Sequence, residues 1–464
     1  MGLQDIDTIV IAIMENRSFD HMLGYLSLPG ADGPARLEGL KADPNWRSSI
    51  ANRLGDNSYE PRKLSADADI SDPAHDQQSI AKQIGVAPVG PGPTSMGGFV
   101  ESYVTYSDPK PTDPGAVMGY YDQAIVPTFD FFARHYCVCD HWFAALPLGT
   151  QANRLMAMAG ESKLIDNAGL FLPDEPLVYD WLTRNQVSWC VYQAGNFLPF
   201  FSLMVKWLPE IASSLTLSDL GIRGRFRRYA RFKKEWQSNE TMPSVIFVEP
   251  EYSDGPHKNP SDDHPPTPVG PGQALLADLY RALISNPKRW AKTLLVITYD
   301  EHGGFFDHVP PLAIETVIAG TQFKTTGVRV PAFLVSPHVE AGTVFSGPLD
   351  HTSLLQLLDD RFGGPHGYSV AVNARQPYLD RISRALTRRP GPNDVPPPLP
   401  ASVAPAAPPP TRREPGPPEA PGTPNAIALD LAARKLAKDH PDLLSQGGWQ
   451  DVREYLATTA PKKA

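Results

Sequence analysis

The amino-acid sequence predicts an α/β fold on a mostly parallel central sheet flanked by helices, and three observations carry that expectation. Five short apolar runs rich in Ile and Val are continuous rather than alternating: residues 8–14 (TIVIAIM), 187–192 (VSWCVY), 244–248 (SVIFV), 293–298 (TLLVIT) and 331–336 (PAFLVS). Unbroken apolar runs are what strands buried on both faces require. Long segments, several with helical periodicity, separate them, as crossovers between parallel strands demand. Acidic and amide residues close several runs, which places them at the carboxyl edge of the sheet, where ligands bind in open α/β folds.

In chain order, the first run ends in Glu15-Asn16 and leads into Arg17-Ser18-Phe19-Asp20-His21. Residues 146–150 (LPLGT) form a rigid turn opening into a helix over 151–159, which sets the Thr150 hydroxyl at a helix N-terminus. Free N–H groups and the helix dipole favour an anion there. The run at 244–248 ends in Glu249-Pro250-Glu251. A helix over 273–284, with Leu275, Leu276, Leu279 and Leu283 on one stripe, docks just before the run at 293–298. That run ends in Asp300-Glu301, followed by His302-Gly303-Gly304, and a helix over 352–362 follows Asp350-His351. Glu15, Asn16, Asp300 and Glu301, brought to one sheet edge, repel one another unless a cation sits between them. His302 and His308 are placed to orient ligands beside the acidic pair, and His351 either starts its helix or does the same.

Composition sets the domain organisation. The chain has 464 residues, 41% hydrophobic and 20% charged, with 50 prolines, fifteen of them between Pro390 and Pro424. Residues 1–385 are therefore the expected catalytic body, with an insertion at about 161–240; 386–424 is a Pro-rich linker, and 425–464 a helical C-terminal segment. Thr423-Pro424-Asn425 has the form of an N-cap with proline at the first helical position, and Leu429, Ala432, Ala433 and Leu436 make a narrow apolar face behind it. A net charge of −9 argues against general affinity for nucleic acid. Three cysteines build no disulfide framework, and no basic residue precedes the run at 9–14, so a signal peptide is not expected and a cytoplasmic location is the default. His135, Cys137, Cys139 and His141 alternate, but extended neighbours lie ~6.6 Å apart and zinc needs its ligands within ~2.3 Å, so they read as packing. Residues 223–236 (RGRFRRYARFKKEW) read as an amphipathic helix, either solvated or in peripheral contact with an anionic membrane.

Ten segments, in order, carry a further signal: MENRSFDHMLGYL (14–26), DPAHD (72–76), MGGFVESY (96–103), VMGYYD (117–122), CDHWFAALPLGTQANRLMAMAG (139–160), FVEPEYSD (247–254), DDHPP (262–266), TYDEHGGFFDHVPP (298–311), GVRVPAFLVSP (327–337) and DHTSLLQLL (350–358). Together they resemble the bacterial phosphoesterase family that contains the non-haemolytic type phospholipases C and the respiratory-burst-inhibiting acid phosphatases, within the alkaline phosphatase superfamily. The resemblance implies an alkaline-phosphatase-like sheet and one divalent metal ion, Mg, Mn, Ca or Zn, held by Glu15, Asn16, Thr150, Asp300 and Glu301. It implies Thr150 as the metal-bound nucleophile, His75 and His264 facing the phosphate and assisting the leaving group, and Asn153 on the same substrate-binding surface. No histidine lies between His141 and His257, so an additional mid-chain histidine of the acid phosphatase branch has no counterpart here.

The expected chemistry is in-line attack by Thr150 on a phosphoric ester, possible because a metal lowers the hydroxyl pKa and neutralises the non-bridging oxygens, through a covalent phosphothreonine. The substrate is a phosphate ester, with a phospholipid head group the leading case. Two alternatives stay open: an acid phosphatase acting on monoesters, and a non-catalytic scaffold whose Pro-rich tail binds a protein partner.

Overall fold

A computed structural model describes residues 2–66, 68–85, 95–255, 260–391, 394–403 and 422–459. At its centre are strands β1 (Thr8–Met14), β2 (Cys137–Cys139), β3 (Trp189–Gln193), β4 (Phe226–Arg228), β5 (Val245–Glu249), β6 (Thr293–Tyr299), β7 (Ala332–Val335) and β8 (Thr343–Phe345). They form one sheet in the order β8-β2-β7-β6-β1-β5-β3-β4. β7 runs against its neighbours β6 and β2, and every other pairing is parallel. Each residue of β1, β5 and β6 is buried. At ~1.5–3 kcal/mol for each fully buried aliphatic side chain, that burial pins these strands and so fixes what leaves their ends.

The run at 331–336 departs from the parallel pattern. Residues 300–331 carry no helix between β6 and β7, only a small hairpin of Thr316–Ile318 and Thr321–Phe323, and without a helical crossover the chain returns antiparallel. The helices used below are α1 (Gln77–Ile84), α2 (Thr150–Ala159), α3 (Leu208–Asp219), α4 (Phe232–Gln237), α5 (Gly270–Ile284), α6 (Thr352–Phe362), α7 (Pro424–Asp439) and α8 (Gln450–Thr458). Cys137 and Cys139 are packed inside the sheet on β2.

Residues 223–236 are not one amphipathic helix. They form strand β4, a turn and the short α4, with Phe226, Phe232 and Trp236 buried. Every arginine of the segment has a carboxylate partner: Arg223, Arg227 and Arg231 on Glu235, Arg225 on Glu210 and Arg228 on Asp219. Five of the segment's seven basic side chains are thus engaged by carboxylates, while Lys233 and Lys234 are exposed.

The C-terminal helices pack on the body. Thr423 caps α7 by accepting from Ala426 N, and Ala428, Leu429, Ala432, Ala433 and Leu436 are buried. Trp449, ahead of α8, is fully buried and donates from Nε1 to Thr216 Oγ1 at 2.8 Å. The start of the proline tract also lies on the body: Leu386 and Leu399 are buried, and Tyr280 donates to the Pro397 carbonyl at 2.6 Å. Residues 404–421 of the expected linker lie outside the described residues. Among those described, no helix is long and apolar enough to cross a membrane.

Candidate active site

β1 and β6 pair to their last residues, Met14 opposite Tyr299. Glu15-Asn16 and Asp300-Glu301 therefore leave the sheet side by side, and all four are buried. Asn16 adopts the left-handed conformation, φ 60°, and its backbone N–H donates to Asp300 Oδ1 at 3.2 Å. The turn after Glu301 closes tightly over it. A Cβ on Gly303, itself at φ 61°, would fall 2.1 Å from the Asn16 carbonyl oxygen, so only glycine lets these two loops meet.

Thr150 is the first residue of α2 and is fully buried. Its hydroxyl donates to Asn16 Oδ1 at 3.5 Å, which joins the helix start to the strand-end residues. One turn on, Arg154 reaches the same place. It donates to Glu15 Oε1 at 3.2 Å, to Asp300 Oδ2 at 3.4 Å and to the Met14 carbonyl at 3.3 Å, and its guanidinium lies over the rings of Phe200 and Tyr252. Sequence reasoning missed Arg154. The available signal was its spacing of four from Thr150, which puts both on one helical face.

Asn153, expected on the substrate-binding surface, is elsewhere. Its Nδ2 donates to the carbonyls of Leu146, Leu148 and Gly149 at 3.2, 2.6 and 3.3 Å, and its Oδ1 accepts from Leu146 N at 2.9 Å. Its polar atoms are committed to holding the turn before Thr150.

His75 and His264 come together edge to face, ring centroids 5.7 Å apart. His75 Nε2 lies 3.2 Å from Asn16 Nδ2, and Nδ1 donates to the Pro73 carbonyl at 2.8 Å. Burial alone would discharge His75, but Glu301 and Asp72 outweigh it and hold the ring up at about 9. His264 is likewise raised against its burial, by Asp72, Asp254 and Asp262. Of the other histidines, His302 touches Glu301, 3.3 Å from Oε2, and His351 lies against the Asp300 carbonyl at 2.5 Å, so both pack on the acidic pair. His308 does not, and sits on Asp20 instead at 2.6 Å.

The electrostatics of the edge are unbalanced. Burial, then the Asp300 charge, pushes the Glu15 carboxyl well above its usual range, with Arg154 pulling against them. Burial raises Asp300 to about 6 despite Arg154. Glu301 is held low against its burial, first by His75 and then by His302. Glu15 Oε2 and Glu301 Oε1 are buried with no hydrogen-bond partner. Orphaned carboxylate oxygens beside a neutral amide oxygen and a hydroxyl make an all-oxygen donor set of the kind a hard divalent cation satisfies.

A second acidic cluster looks more like a metal site by spacing alone. Among the described residues, Asp20, Asp307 and His308 are the group whose ligand atoms lie within 4.8 Å of one another. Fully buried Arg329 already fills it, 3.2 Å from Asp20 and 2.9 Å from Asp307. A cleft of about 1240 Å³ runs beside the first site, lined by Asp76, Gln77, Pro147, Asp166 and Phe323 among others; Asp76 follows His75 and Pro147 belongs to the turn before Thr150.

The chain is 32% identical over 373 residues to the non-specific phospholipase C4 of Arabidopsis thaliana, covering 75% of this chain and 64% of that protein. It is 30% identical over 416 residues to phospholipase C B of Mycobacterium tuberculosis, covering 78% and 74%. It thus spans just under two thirds of the first plant relative's length. A solved protein of the alkaline phosphatase superfamily from Vibrio parahaemolyticus aligns over 53% of this chain and 61% of its own at 10% identity, with a TM-score of 0.29, too distant to bear on the site. The Phosphoesterase family profile matches residues 6–365, a span that holds all eight strands and the whole of the site, and the chain belongs to that family.

Proposed function

We propose that the chain is a metal-dependent phosphoric ester hydrolase of phospholipase C type, with Thr150 as nucleophile. One observation carries this: the Thr150 hydroxyl is buried at a helix N-terminus, against Asn16, among carboxylates whose buried oxygens lack partners. Glu15, Asn16, Thr150, Asp300 and Glu301 would hold one divalent cation, Mg, Mn, Ca or Zn. When bound, such an ion lowers the pKa of a hydroxyl and offsets the charge of non-bridging phosphoryl oxygens.

The residues themselves supply the remaining steps. Thr150 Oγ, its proton released to solvent, forms the new bond to phosphorus while the bond to the leaving oxygen breaks on the opposite side. His75 and His264, raised toward their charged forms, donate the proton the leaving alkoxide requires. The phosphoryl group, still carrying its head group when the substrate is a diester, rests on Thr150 until water attacks phosphorus, the Oγ–P bond breaks and a proton of that water restores the Thr150 hydroxyl. Arg154, one turn after the nucleophile, holds Glu15 Oε1 and Asp300 Oδ2 in place.

The names of the relatives support diester cleavage over the acid phosphatase alternative, and the assembled site speaks against a non-catalytic scaffold. Comparing p-nitrophenyl phosphorylcholine with p-nitrophenyl phosphate, with and without chelator, tests this. Chelator-sensitive hydrolysis of the choline diester is expected. Hydrolysis of the monoester alone would favour the phosphatase, and hydrolysis of neither after metal addition would overturn the proposal.

A further inference from the structure

The family profile ends at residue 365, yet residues beyond it touch both sides of the site. Gln151, the neighbour of Thr150, is fully buried, and its Nε2 donates to Asn425 Oδ1 of α7 at 2.9 Å. The same amide is clamped to the loop at 167–168: Nε2 donates to the Ala168 carbonyl at 2.9 Å, Oε1 accepts from Ala168 N at 2.8 Å, and Gln151 N donates to Asn167 Oδ1 at 2.8 Å. On the far side, Thr423 at the start of α7 donates from Oγ1 to Asp254. Asp254 follows Ser253, whose N–H donates to Asp262 Oδ2, and Asp262 Oδ1 in turn accepts from His264 N at 3.2 Å. Asn425 is 5% exposed, so its contact with Gln151 is made away from competing water and its loss leaves a buried amide donor short of a partner.

We infer that the C-terminal segment completes the active site: Asn425, through Gln151, positions the nucleophile Thr150, and Thr423, through Asp254, positions the side that holds His264. Neither residue meets substrate; both are positioning residues. The helix docks by two polar contacts at its N-terminus and by a separate apolar face of Ala432, Ala433 and Leu436. Positioning and stability are therefore separable by mutation. The inference rests on Thr150 being the nucleophile.

The test uses the full chain and p-nitrophenyl phosphorylcholine. Asn425→Ala should lower kcat about tenfold with KM within twofold, and Asn425→Asp, which keeps an Oδ1 acceptor and places its charge near a helix N-terminus, should recover most of it. Leu436→Ala should do the reverse, lowering Tm while kcat stays at the wild-type value. Thr423→Val, with less buried volume at stake, should shift the alkaline limb of the pH–kcat profile. If Asn425→Ala does not fold, Thr423→Val decides the matter: a wild-type kcat and pH profile in that variant overturns the inference. Equal kcat loss in Leu436→Ala and Asn425→Ala also overturns it, since the segment would then act through stability alone. Should the wild-type chain hydrolyse no ester, the proposed function fails separately, and amide exchange at residues 150–151 reads the positioning: faster exchange in Asn425→Ala supports it, unchanged exchange refutes it.

Discussion

Two acidic clusters lie close in sequence to the ends of β1 and β6, and they differ in how their charge is met. In the cluster of Asp20 and Asp307, the carboxylates face Arg329 and His308, and the buried oxygens are paired. In the other, Glu15, Asp300 and Glu301 share Arg154 and His75, and two carboxylate oxygens remain buried without a partner. Ligand spacing favours the Asp20 cluster as a metal site; charge balance favours the Glu15 cluster. An acidic cluster that closes its own hydrogen bonds is a structural rivet, whereas one left open is poised for a ligand.

The comparison breaks most sharply at the two centres. Thr150→Ala should cut turnover by at least about 10³-fold with little change in Tm, while Thr150→Ser retains part of it. Arg329→Met should leave two buried carboxylates unmatched and cost about 3–5 kcal/mol of stability, a loss that added divalent metal does not reverse in a thermal melt. Glu301→Gln should weaken metal binding at least about tenfold in a calorimetric titration, whereas Asp307→Asn should leave that affinity unchanged. Equal effects of the two would erase the distinction between the clusters.

Smaller effects sharpen it. Gly303→Ala forces a Cβ against the Asn16 carbonyl in a left-handed conformation and should cost more than about 1 kcal/mol, read by chemical denaturation, with a loss of metal affinity that the same substitution at Gly320, where nothing lies near, does not share. The smallest is a pH effect in the rivet. Burial would lower His308, but Asp20 more than reverses this and raises it; Asp20 is correspondingly low despite its burial, first through His308 and then Arg329. The His308 contribution is thus whole below its ordinary value of about 6.5 and fades as the pH rises through the raised one. His308→Gln should cost about 1.5 kcal/mol at pH 6, and the gap to wild type should narrow toward alkaline pH. A gap independent of pH would show that the histidine acts by packing alone.

What was legible in the sequence followed from local physics. Residues 8–14 and 293–298 announce themselves as strands because burial on both faces demands an unbroken apolar run, and Glu15-Asn16 and Asp300-Glu301 are legible because they end those runs. β2, β4 and β8 are three residues each, too short for any period, and β4 is hidden further by its arginines, whose carboxylate partners are supplied by tertiary folding. Only its spacing from Thr150 marked Arg154, because its partners Glu15 and Asp300 lie 139 and 146 residues away in the chain. Asn153 misled because proximity to Thr150 in sequence says nothing of which way an amide points, and here the preceding turn offered it four partners. The reach of α7 to Gln151 depends on a docking that follows an 18-residue stretch, 404–421, with no apolar pattern to read.

The central claim is that phosphorus passes through Thr150. Rapid quenching of the metal-loaded chain with p-nitrophenyl phosphorylcholine, followed by peptide mass spectrometry, tests it directly. A phosphocholine adduct confined to the peptide that holds Thr150, and absent in Thr150→Ala, is the predicted result. Full turnover by Thr150→Ala, with no adduct on the wild-type peptide, would contradict it.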